Sequence, residues 1–264
     1  MRFSVLTLFP EMIRNTLETS ITGKALEKGL FELETIQIRD HAVNSYGKVD
    51  DYVFGGGKGM LLMAEPVYQS WLDAVKCYSS VHADTEFEQA ADSSVKRART
   101  IYLSPKGRRF DQEAAARIAK QDHVILLCGH YEGIDQRVLD QIVDEEISLG
   151  DFVLTGGELA ACVVIDAAAR LLPGVLPAEE AYMNESHMSG LLEQPHYTRP
   201  SEWQGREVPE ILLSGHQARI ERWQYLRSLM ETLDKRPDLL RSSDLKIEDW
   251  EDLIVILQED KSRK

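Results

Sequence analysis

The sequence contains few cysteines, and none of them stands in a metal-binding or redox motif. Cys77, Cys128 and Cys162 are the three cysteines among 264 residues, and they lie far apart along the chain. Without a CxxC pair, a thiolate zinc site and a disulfide framework are both disfavoured. The sequence therefore indicates a reducing, cytoplasmic setting, in which Cys128 and Cys162 pack in the core because both lie in apolar runs.

Long hydrophobic runs are also absent. No apolar stretch approaches the ~20 residues that a membrane helix needs, so we expect no membrane partner. The first stretch, MRFSVLTLFPEM, stops at Pro10 and contains no small-residue cleavage site. It predicts a buried first strand rather than a signal peptide.

Basic residues are outnumbered by acidic ones over the whole chain, but not between Leu191 and Arg241. The formal net charge is −14, which excludes nucleic-acid binding by general electrostatic attraction. From Leu191 to Arg241, however, eight acids balance eight bases, and the segments 195–200 and 216–227 combine aromatic rings with cations. This composition suits unpaired bases and phosphates, although an ordinary amphipathic helix would share it.

The order of apolar segments predicts an α/β fold with a mostly parallel sheet. Predicted strands, at 3–9, 31–40, 100–103, 123–128 and from 147, alternate with predicted helices at 10–20, 64–75, 111–120 and 157–172. Ligands of such sheets bind beyond the carboxyl ends of the strands. Three loops rich in glycine and proline follow the later strands, so we expect a binding site there.

The regular alternation of apolar segments ends after Leu172. Residues 173–190 are irregular and contain prolines and glycines, as expected for a linker, and a helical pattern begins near His216. The sequence therefore predicts a second, smaller and mainly helical domain from about residue 189. A polar stretch at 78–99 is predicted to be a surface insertion.

The segment FGGGKGM at 54–60 looks like a phosphate-binding loop but lacks its chemistry. A P-loop needs Ser or Thr after the lysine, whereas Gly59 follows Lys58, and the spacing GxGxxG of dinucleotide sites is not met either. Two interpretations remain open: a flexible surface turn, or a loop whose backbone lets a large ligand approach closely.

A second group of glycines lies among acids. Residues 132–158 carry eight acids and one arginine. Such a stretch is either a solvated face or a site for a positive group, and a metal ion and the sulfonium of S-adenosylmethionine are both candidates.

Several motifs in order resemble one known family: LFPEM, VDDYVFGGGKGM, YLSPKGR, LLCGHYEGIDQR, SLGDFVLTGGE, PGVL, GLLEQPHYTRP and VPEILLSGH. They resemble the bacterial tRNA (guanine-N(1)-)-methyltransferases of the trefoil-knot (SPOUT) superfamily, from residue 1 to about 240. These enzymes methylate ring nitrogen 1 of guanosine at position 37, just 3′ of the anticodon.

The resemblance implies a fold and partners. The expected fold is a parallel α/β domain at 1–176 with a deep C-terminal trefoil knot, a linker at 177–188 and a helical tRNA-binding domain at 189–264. S-adenosylmethionine is the implied methyl donor, and the anticodon arm of tRNA is the implied substrate. A homodimer with shared active sites and an assisting Mg²⁺ are also implied, although the sequence shows no set of metal ligands.

The resemblance also assigns binding residues. The implied cofactor pocket consists of Ser104, Pro105, Gly129, Glu132, Ser148, Leu149, Gly150, Asp151, Phe152, Val153, Leu154, Gly156 and Gly157, with Leu154 contacting adenine through its backbone. Asp50 and Gly59 are implied at the target guanosine. The residues implied to hold the anticodon arm are His196, Arg199, Arg206 and His216.

The chemistry explains why a base and a cation are needed. Nitrogen 1 of guanine carries a proton at neutral pH, so a general base must remove it while negative charge develops on the neighbouring carbonyl oxygen. By resemblance the base maps to Glu185, where the family has aspartate, and the cation to Arg170. Asp135 and Asp166 are the alternative bases.

Two further positions depart from the family pattern. His130 stands where many relatives have arginine, and Ala160 stands where proline is usual. Alternatives to the family function are a phosphate-binding ATPase or kinase, an RNA-binding relative that has lost its chemistry, and a knotted methyltransferase with another target base.

Overall fold

The protein folds into two compact units, residues 1–177 and 178–264. The computed structural model describes residues 1–56, 59–81, 98–177, 185–188, 190–242 and 246–262. Most of the predicted insertion at 78–99 and most of the predicted linker therefore lie outside the described residues. Positions 78–81 are the end of a helix, and 99 begins a strand.

The first unit contains strands and helices in alternation. Its strands are β1 (Arg2–Thr7), β2 (Glu32–Gln37), β3 (Asp50–Tyr52), β4 (Met60–Leu62), β5 (Arg99–Arg109), β6 (His123–Cys128) and β7 (Glu145–Ser148). Its α-helices are α1 (Pro10–Leu17), α2 (Ser20–Glu27), α3 (Ala64–Val81), α4 (Gln112–Ile118), α5 (Gln136–Ile142) and α6 (Glu158–Ala169), and a 3₁₀ turn spans Ile38–His41.

Five strands form one parallel sheet in the order β2-β1-β6-β5-β7. The strand β6 (HVILLC) is buried at every position because it lies in the centre and is covered on both faces. β3 and β4 form a separate antiparallel hairpin. The predicted α/β class and parallel sheet are confirmed.

Two hydrophobic clusters cover the two faces of the sheet. One joins Phe3, Val5 and Val124 to helices α1, α2, α4 and α6, and the other joins Leu6 and Leu127 to helices α3 and α5. The alternation of side chains along β1 and β6 sends neighbouring residues into opposite clusters. The sheet is thus held rigidly, with its carboxyl edge free to carry loops.

The structure adds elements that the sequence pattern did not predict. The predicted helix at 10–20 ends at Leu17, and a second helix begins at Ser20, so α1 and α2 are separate. Helix α5 follows the loop at 129–135, where Asp135 caps its amino terminus by accepting a hydrogen bond from the backbone N–H of Arg137. The predicted loop at 44–60 contains the β3–β4 hairpin.

The second unit is mainly helical in its described part. Its described elements are a hairpin of β8 (Glu202–Trp203) and β9 (Arg206–Glu207), the helices α7 (Glu210–Leu213), α8 (Gln217–Lys235) and α9 (Ile247–Ser262), and a 3₁₀ turn at Leu239–Ser242. Leu191, Leu226, Leu229 and Leu253 form a small core between these helices. Ion pairs from Arg222 to Asp249 and Asp252 join α8 to α9.

Within the described part of the chain, no helix combines the length and apolar character needed to cross a membrane.

Candidate active site

The three glycine-containing loops meet at the carboxyl edge of the sheet and enclose a pocket of about 240 Å³. The first loop interrupts β5 after Leu103, and the other two follow β6 and β7; these three strands lie side by side. Most of the residues predicted to bind the cofactor line this pocket: Ser104, Pro105, Gly129, Glu132, Ser148, Leu149, Phe152, Val153, Leu154, Gly156 and Gly157. Gly150 and Asp151 belong to the third loop, which follows β7, but they do not line the pocket.

The first loop is formed by a break in strand pairing. Leu103 and Arg108 of β5 both lie opposite Ile147 of β7, so residues 104–107 loop out of the sheet. Gly107 permits this, because a Cβ atom there would lie 2.4 Å from the carbonyl carbon of Glu146. The break places Ser104 and Pro105 at the pocket, although the sequence predicts a strand that simply ends there.

The second and third loops are joined through their glycines. The N–H of Gly157 donates a hydrogen bond to the carbonyl oxygen of Gly129 at 3.0 Å. A Cβ atom on Gly157 would lie 2.8 Å from the Cα of Cys128, so the backbones could not approach this closely with a larger residue. The wall of the pocket therefore depends on backbone contact.

A buried carboxylate ties the third loop to the first strand. Glu158 is 2% exposed, lies in the first turn of α6, and accepts a hydrogen bond from the hydroxyl of Thr7 at 2.7 Å. The Thr7 hydroxyl in turn accepts a hydrogen bond from the N–H of Phe9 at 2.9 Å. Because an acid is favoured near a helix amino terminus, this contact holds α6 against the end of β1.

The pocket has little positive charge. Among its described lining residues none is lysine or arginine, and Glu132 is an acid. Tyr102 also lines the pocket; burial, with the nearby Glu146 carboxylate, raises the pKa of its phenol to about 12, so the phenol stays neutral. The electrostatics disfavour a phosphate ligand and favour a neutral or cationic one.

The β3–β4 hairpin lies beside the pocket. The N–H of Glu132 donates to the carbonyl oxygen of Met60 at 3.0 Å. Gly59 has a φ of +120°, and a Cβ atom there would lie 2.4 Å from the Cγ of Glu132. Asp50 is half-buried on β3, while a hydrogen bond from Lys48 lowers the pKa of the next residue, Asp51. Gly57 and Lys58 lie outside the described residues.

Comparison with known proteins assigns the chain to a family. The family model described as tRNA (Guanine-1)-methyltransferase TrmD matches residues 1–242. Proteins named tRNA (guanine-N(1)-)-methyltransferase are similar to it, in Ruminiclostridium cellulolyticum (50% identity, 90% of this chain and 96% of the relative) and Alkaliphilus oremlandii (47%, all of both chains). The protein of that name from Clostridioides difficile is 43% identical over 93% of this chain and all of the relative.

The chain belongs to the tRNA (guanine-1)-methyltransferase family. The resemblance stated from the sequence motifs is thereby confirmed, and it covers the pocket, the hairpin and most of the second unit.

The two residues predicted to be catalytic in this methyltransferase lie in different units. Arg170 is the half-buried C-cap residue of α6, whose amino-terminal end lies at the pocket. Glu185 is half-buried in the second unit, where its carbonyl oxygen accepts a hydrogen bond from the N–H of Met188 at 3.2 Å. Their roles stay predictions.

The alternative bases have other surroundings. Both oxygens of Asp135 accept hydrogen bonds from the Arg137 guanidinium, at 2.9 and 2.6 Å, and these bonds lower the pKa of Asp135. A carboxylate held in this way is a weaker base. Asp166 is exposed on α6, and it is not among the residues that line the pocket.

The two departures from the family pattern both lie at the pocket. The His130 ring lies 5.1 Å from the ring of Phe9 and 5.1 Å from that of Tyr131, and its Nδ1 atom is buried with no hydrogen-bond partner among the described residues. Ala160 is buried in the first turns of α6 and lines the pocket.

The residues predicted to hold the tRNA of this family are exposed in the second unit. His196 lies 3.3 Å from Glu193, Arg199 is on the segment before β8, Arg206 is on β9, and His216 is the N-cap of α8. All are accessible to a large ligand.

Sequence reasoning missed other residues that line the pocket: Tyr102, Leu103, Tyr131, Gly133, Ile147 and Thr155. Tyr102 lies one residue before the break in β5, and Ile147 lies near the carboxyl end of β7. A position just before a loop at the edge of a parallel sheet was the available signal. Among the described residues, no group of three His, Cys, Asp or Glu is arranged to hold a metal ion.

Proposed function

We propose that this protein transfers the methyl group of S-adenosylmethionine to ring nitrogen 1 of guanosine at position 37 of tRNA, next to the anticodon. Family membership over residues 1–242 is the observation that carries the proposal. The relatives are named for this base and this ring nitrogen. The lining of the pocket suits the methyl donor, and the exposed residues of the second unit suit a large RNA substrate.

The pocket fits S-adenosylmethionine by its donor set. Its described lining residues offer backbone groups, hydroxyls and one carboxylate, and no lysine or arginine that would hold a phosphate. We assign to it the predicted cofactor residues, with the backbone of Leu154 at adenine and Glu132 on the side of the positive end. When bound, the cofactor supplies a methyl group on a sulfonium sulfur, which leaves as a neutral thioether.

Two residues of the chain accept the guanine proton and stabilise the negative charge that develops on the base. Glu185 takes the proton from nitrogen 1, so that the ring lone pair becomes available for the methyl group. Negative charge then develops on the neighbouring carbonyl oxygen, and Arg170 neutralises it. Asp50 reads the edge of the guanine. Gly59 allows the backbone of the β3–β4 hairpin to lie close to Glu132.

The position of Arg170 supports an active site that is shared in a homodimer. α6 spans 12 residues, so at 1.5 Å per residue its two ends are about 18 Å apart. The pocket lies at its amino-terminal end and Arg170 at the other. The arginine that serves a pocket therefore comes from the partner protomer.

An exposed apolar face supports the same assembly. Phe9, Met12, Leu159 and Val163 are 40–51% exposed on the neighbouring helices α1 and α6 and on the residue preceding α1. Phe9 also contacts His130 at the pocket. A face of this kind, continuous with the site, suits a two-fold interface.

Other parts of the proposal come from the family. They are a deep trefoil knot in the domain at 1–176, a linker at 177–188, a tRNA-binding domain at 189–264 that grips the anticodon arm through His196, Arg199, Arg206 and His216, and a cytoplasmic location. The unpaired, buried Cys128 and Cys162 are consistent with a reducing compartment. Mg²⁺ is not part of the proposal, because no described cluster of side chains would hold it.

Methyl transfer to defined RNA tests the function. We expect purified protein to move a radiolabelled methyl group from S-adenosylmethionine to an unmodified tRNA transcript with guanosine at position 37, and not to a transcript with adenosine there. Equal labelling of both transcripts would point to another target base. No labelling, with tRNA binding retained, would support an RNA-binding relative without activity.

A further inference from the structure

The second unit contains a groove that the proposed chemistry does not use. It lies between the segment 197–201 and helix α7 and encloses about 850 Å³, which falls within the ~300–1,000 Å³ of small-ligand sites. Val208, Leu212 and Leu213 form its apolar side, and Leu213 is 62% exposed. An apolar surface left open in this way is suited to a flat, weakly polar group.

The opposite side of the groove carries a ring and a cation. Tyr197 is 48% exposed, and its ring lies 6.5 Å from that of Trp223, so it is supported from within the unit while part of it stays accessible. Arg199 is exposed beside it. None of the described lining residues is acidic, although the whole chain carries a net charge of −14. The groove is therefore locally favourable to an anion.

We propose that this groove binds one unpaired nucleotide of the tRNA anticodon loop, with its base against Tyr197 and the leucines and its phosphate at Arg199. The inference rests on the proposed function, because it takes tRNA as the substrate. Aromatic rings stack unpaired bases, and arginine pairs with phosphate. A ring, an apolar wall and one cation without a carboxylate together match a nucleotide better than a peptide, whose backbone would need hydrogen-bonding partners.

Tyr197→Leu removes the ring and keeps an apolar side chain. We expect it to raise the KM for tRNA by about tenfold, the effect of losing one stacked base, with kcat and the KM for S-adenosylmethionine unchanged. Trp203→Leu is the matched control, because Trp203 is 59% exposed on β8 and does not line the groove. Thermal unfolding shows whether the loss of the Trp223 contact disturbs the unit, and Leu212→Ala provides a second variant that leaves that contact in place.

Transcripts with a single abasic ribose, placed at each anticodon-loop position in turn, identify the bound nucleotide. At one position the abasic site should weaken wild-type binding by the same factor, and Tyr197→Leu should add no further loss. Arg199→Gln should reduce the slope of log affinity against log salt by about one phosphate contact.

Three results would overturn the inference. They are wild-type affinity in Tyr197→Leu and Leu212→Ala, a full additional loss from Tyr197→Leu on every abasic transcript, and dissociation of a homodimer by Tyr197→Leu, which would assign the groove to a second copy. Failure of the proposed function is distinguishable, because wild-type protein would then label no transcript, or would label the guanosine and adenosine transcripts equally.

Discussion

At the scale of single residues, the side chain proposed as the base differs from the aspartate that the family resemblance implies. Glu185 has the carboxylate of the expected aspartate, and one additional methylene lengthens its reach. The backbone of residues 185–188 turns back on itself, because the N–H of Met188 bonds to the carbonyl oxygen of Glu185. A longer side chain on a tight turn can still deliver its oxygen to the same place.

Glu185→Gln keeps the shape of the side chain and removes the base. We expect kcat for methyl transfer to fall by about 10²–10⁴, the usual contribution of a general base, because the amide cannot accept the guanine proton. Binding of S-adenosylmethionine and tRNA, measured by calorimetry and filter retention, should stay within about threefold, since neither ligand loses a binding contact of this size.

Two other variants control this result. Glu248→Gln removes an exposed carboxylate in the same unit and should leave kcat unchanged. Glu185→Asp restores the residue of the family and should keep most of the activity. An active Glu185→Gln protein would instead assign the proton transfer to another group, with Asp166 as the next candidate.

The residues of the pocket could be predicted from sequence to different degrees. Gly129 and Gly157 were predicted because glycines that follow apolar strands indicate loops at the edge of a sheet. Tyr102 was missed because a tyrosine in an apolar strand suggests a core position. Only the break in the pairing of β5 with β7 shows that Tyr102 lies at the pocket. Gly107 was predicted to follow a turn at Ser104 and Pro105, whereas in the structure its close contact with Glu146 lets the chain leave and rejoin the sheet.

At the scale of elements, one carboxylate connects the edge strand of the sheet to its surroundings. Glu145 begins β7 and is 15% exposed at its side chain. It accepts hydrogen bonds from Arg99 of β5 at 2.9 Å and from Arg117 of α4 at 2.6 Å. Burial alone would raise the pKa of Glu145, but the two guanidinium groups outweigh it and lower the pKa below the ordinary 4.5.

Glu145→Gln should therefore destabilise the first unit. Because the folded-state pKa is lowered, the stabilisation is present above the ordinary pKa of glutamate and disappears as the pH falls through the lowered value. We expect a loss of about 1–2 kcal/mol in unfolding free energy at pH 7, since both arginines are partly exposed. Denaturant unfolding at neutral and acidic pH measures it, and the difference from wild type should shrink in acid.

The matched control is an ion pair on the surface. Glu11→Gln breaks the contact with Arg14 on α1, where the glutamate side chain is 73% exposed, and should change stability by less than about 0.5 kcal/mol. An equal effect of the two substitutions, or a Glu145→Gln difference that persists at low pH, would contradict the assigned role of Glu145.

Helices and strands could be predicted where the pattern of apolar residues extended over many positions. The parallel sheet followed from apolar strands separated by helical patterns. Helices α2 and α5 were missed because each is short, with eight and seven residues, and follows directly on another motif. Their position is fixed by tertiary packing, since both bury apolar residues against the sheet, and local sequence cannot report that.

At the scale of the whole molecule, the proposed homodimer rests on the direction of one helix. α6 leaves the pocket at its amino terminus and carries Arg170 away from it. A sequence gives the order of these residues but not the direction of α6 relative to the pocket. The shared site is therefore implied by resemblance, and the separation of the two ends of α6 supports it as a proposal.

Two inactive proteins should restore activity when they form a mixed dimer. Arg170→Ala lacks the cation, and Ala160→Phe fills the pocket from α6, where Ala160 is 8% exposed. Each variant alone should show little methyl transfer. In a mixed dimer the open pocket of one protomer meets the intact arginine of its partner, so one of its two sites is functional. Because random assortment makes half of the dimers mixed, about a quarter of the wild-type sites should be active.

Co-expression with two different affinity tags isolates the mixed dimer, and sedimentation velocity shows whether the mass is twice the 29.9 kDa of one chain. Leu159→Glu places a charge on the apolar face of α1 and α6 and should shift the protein toward monomer with loss of turnover. Ile247→Glu, at a more exposed apolar position of the second unit, should leave the mass unchanged. Restored activity requires that pocket and arginine come from different chains, because a site built within one chain would stay broken in both protomers of the mixed dimer.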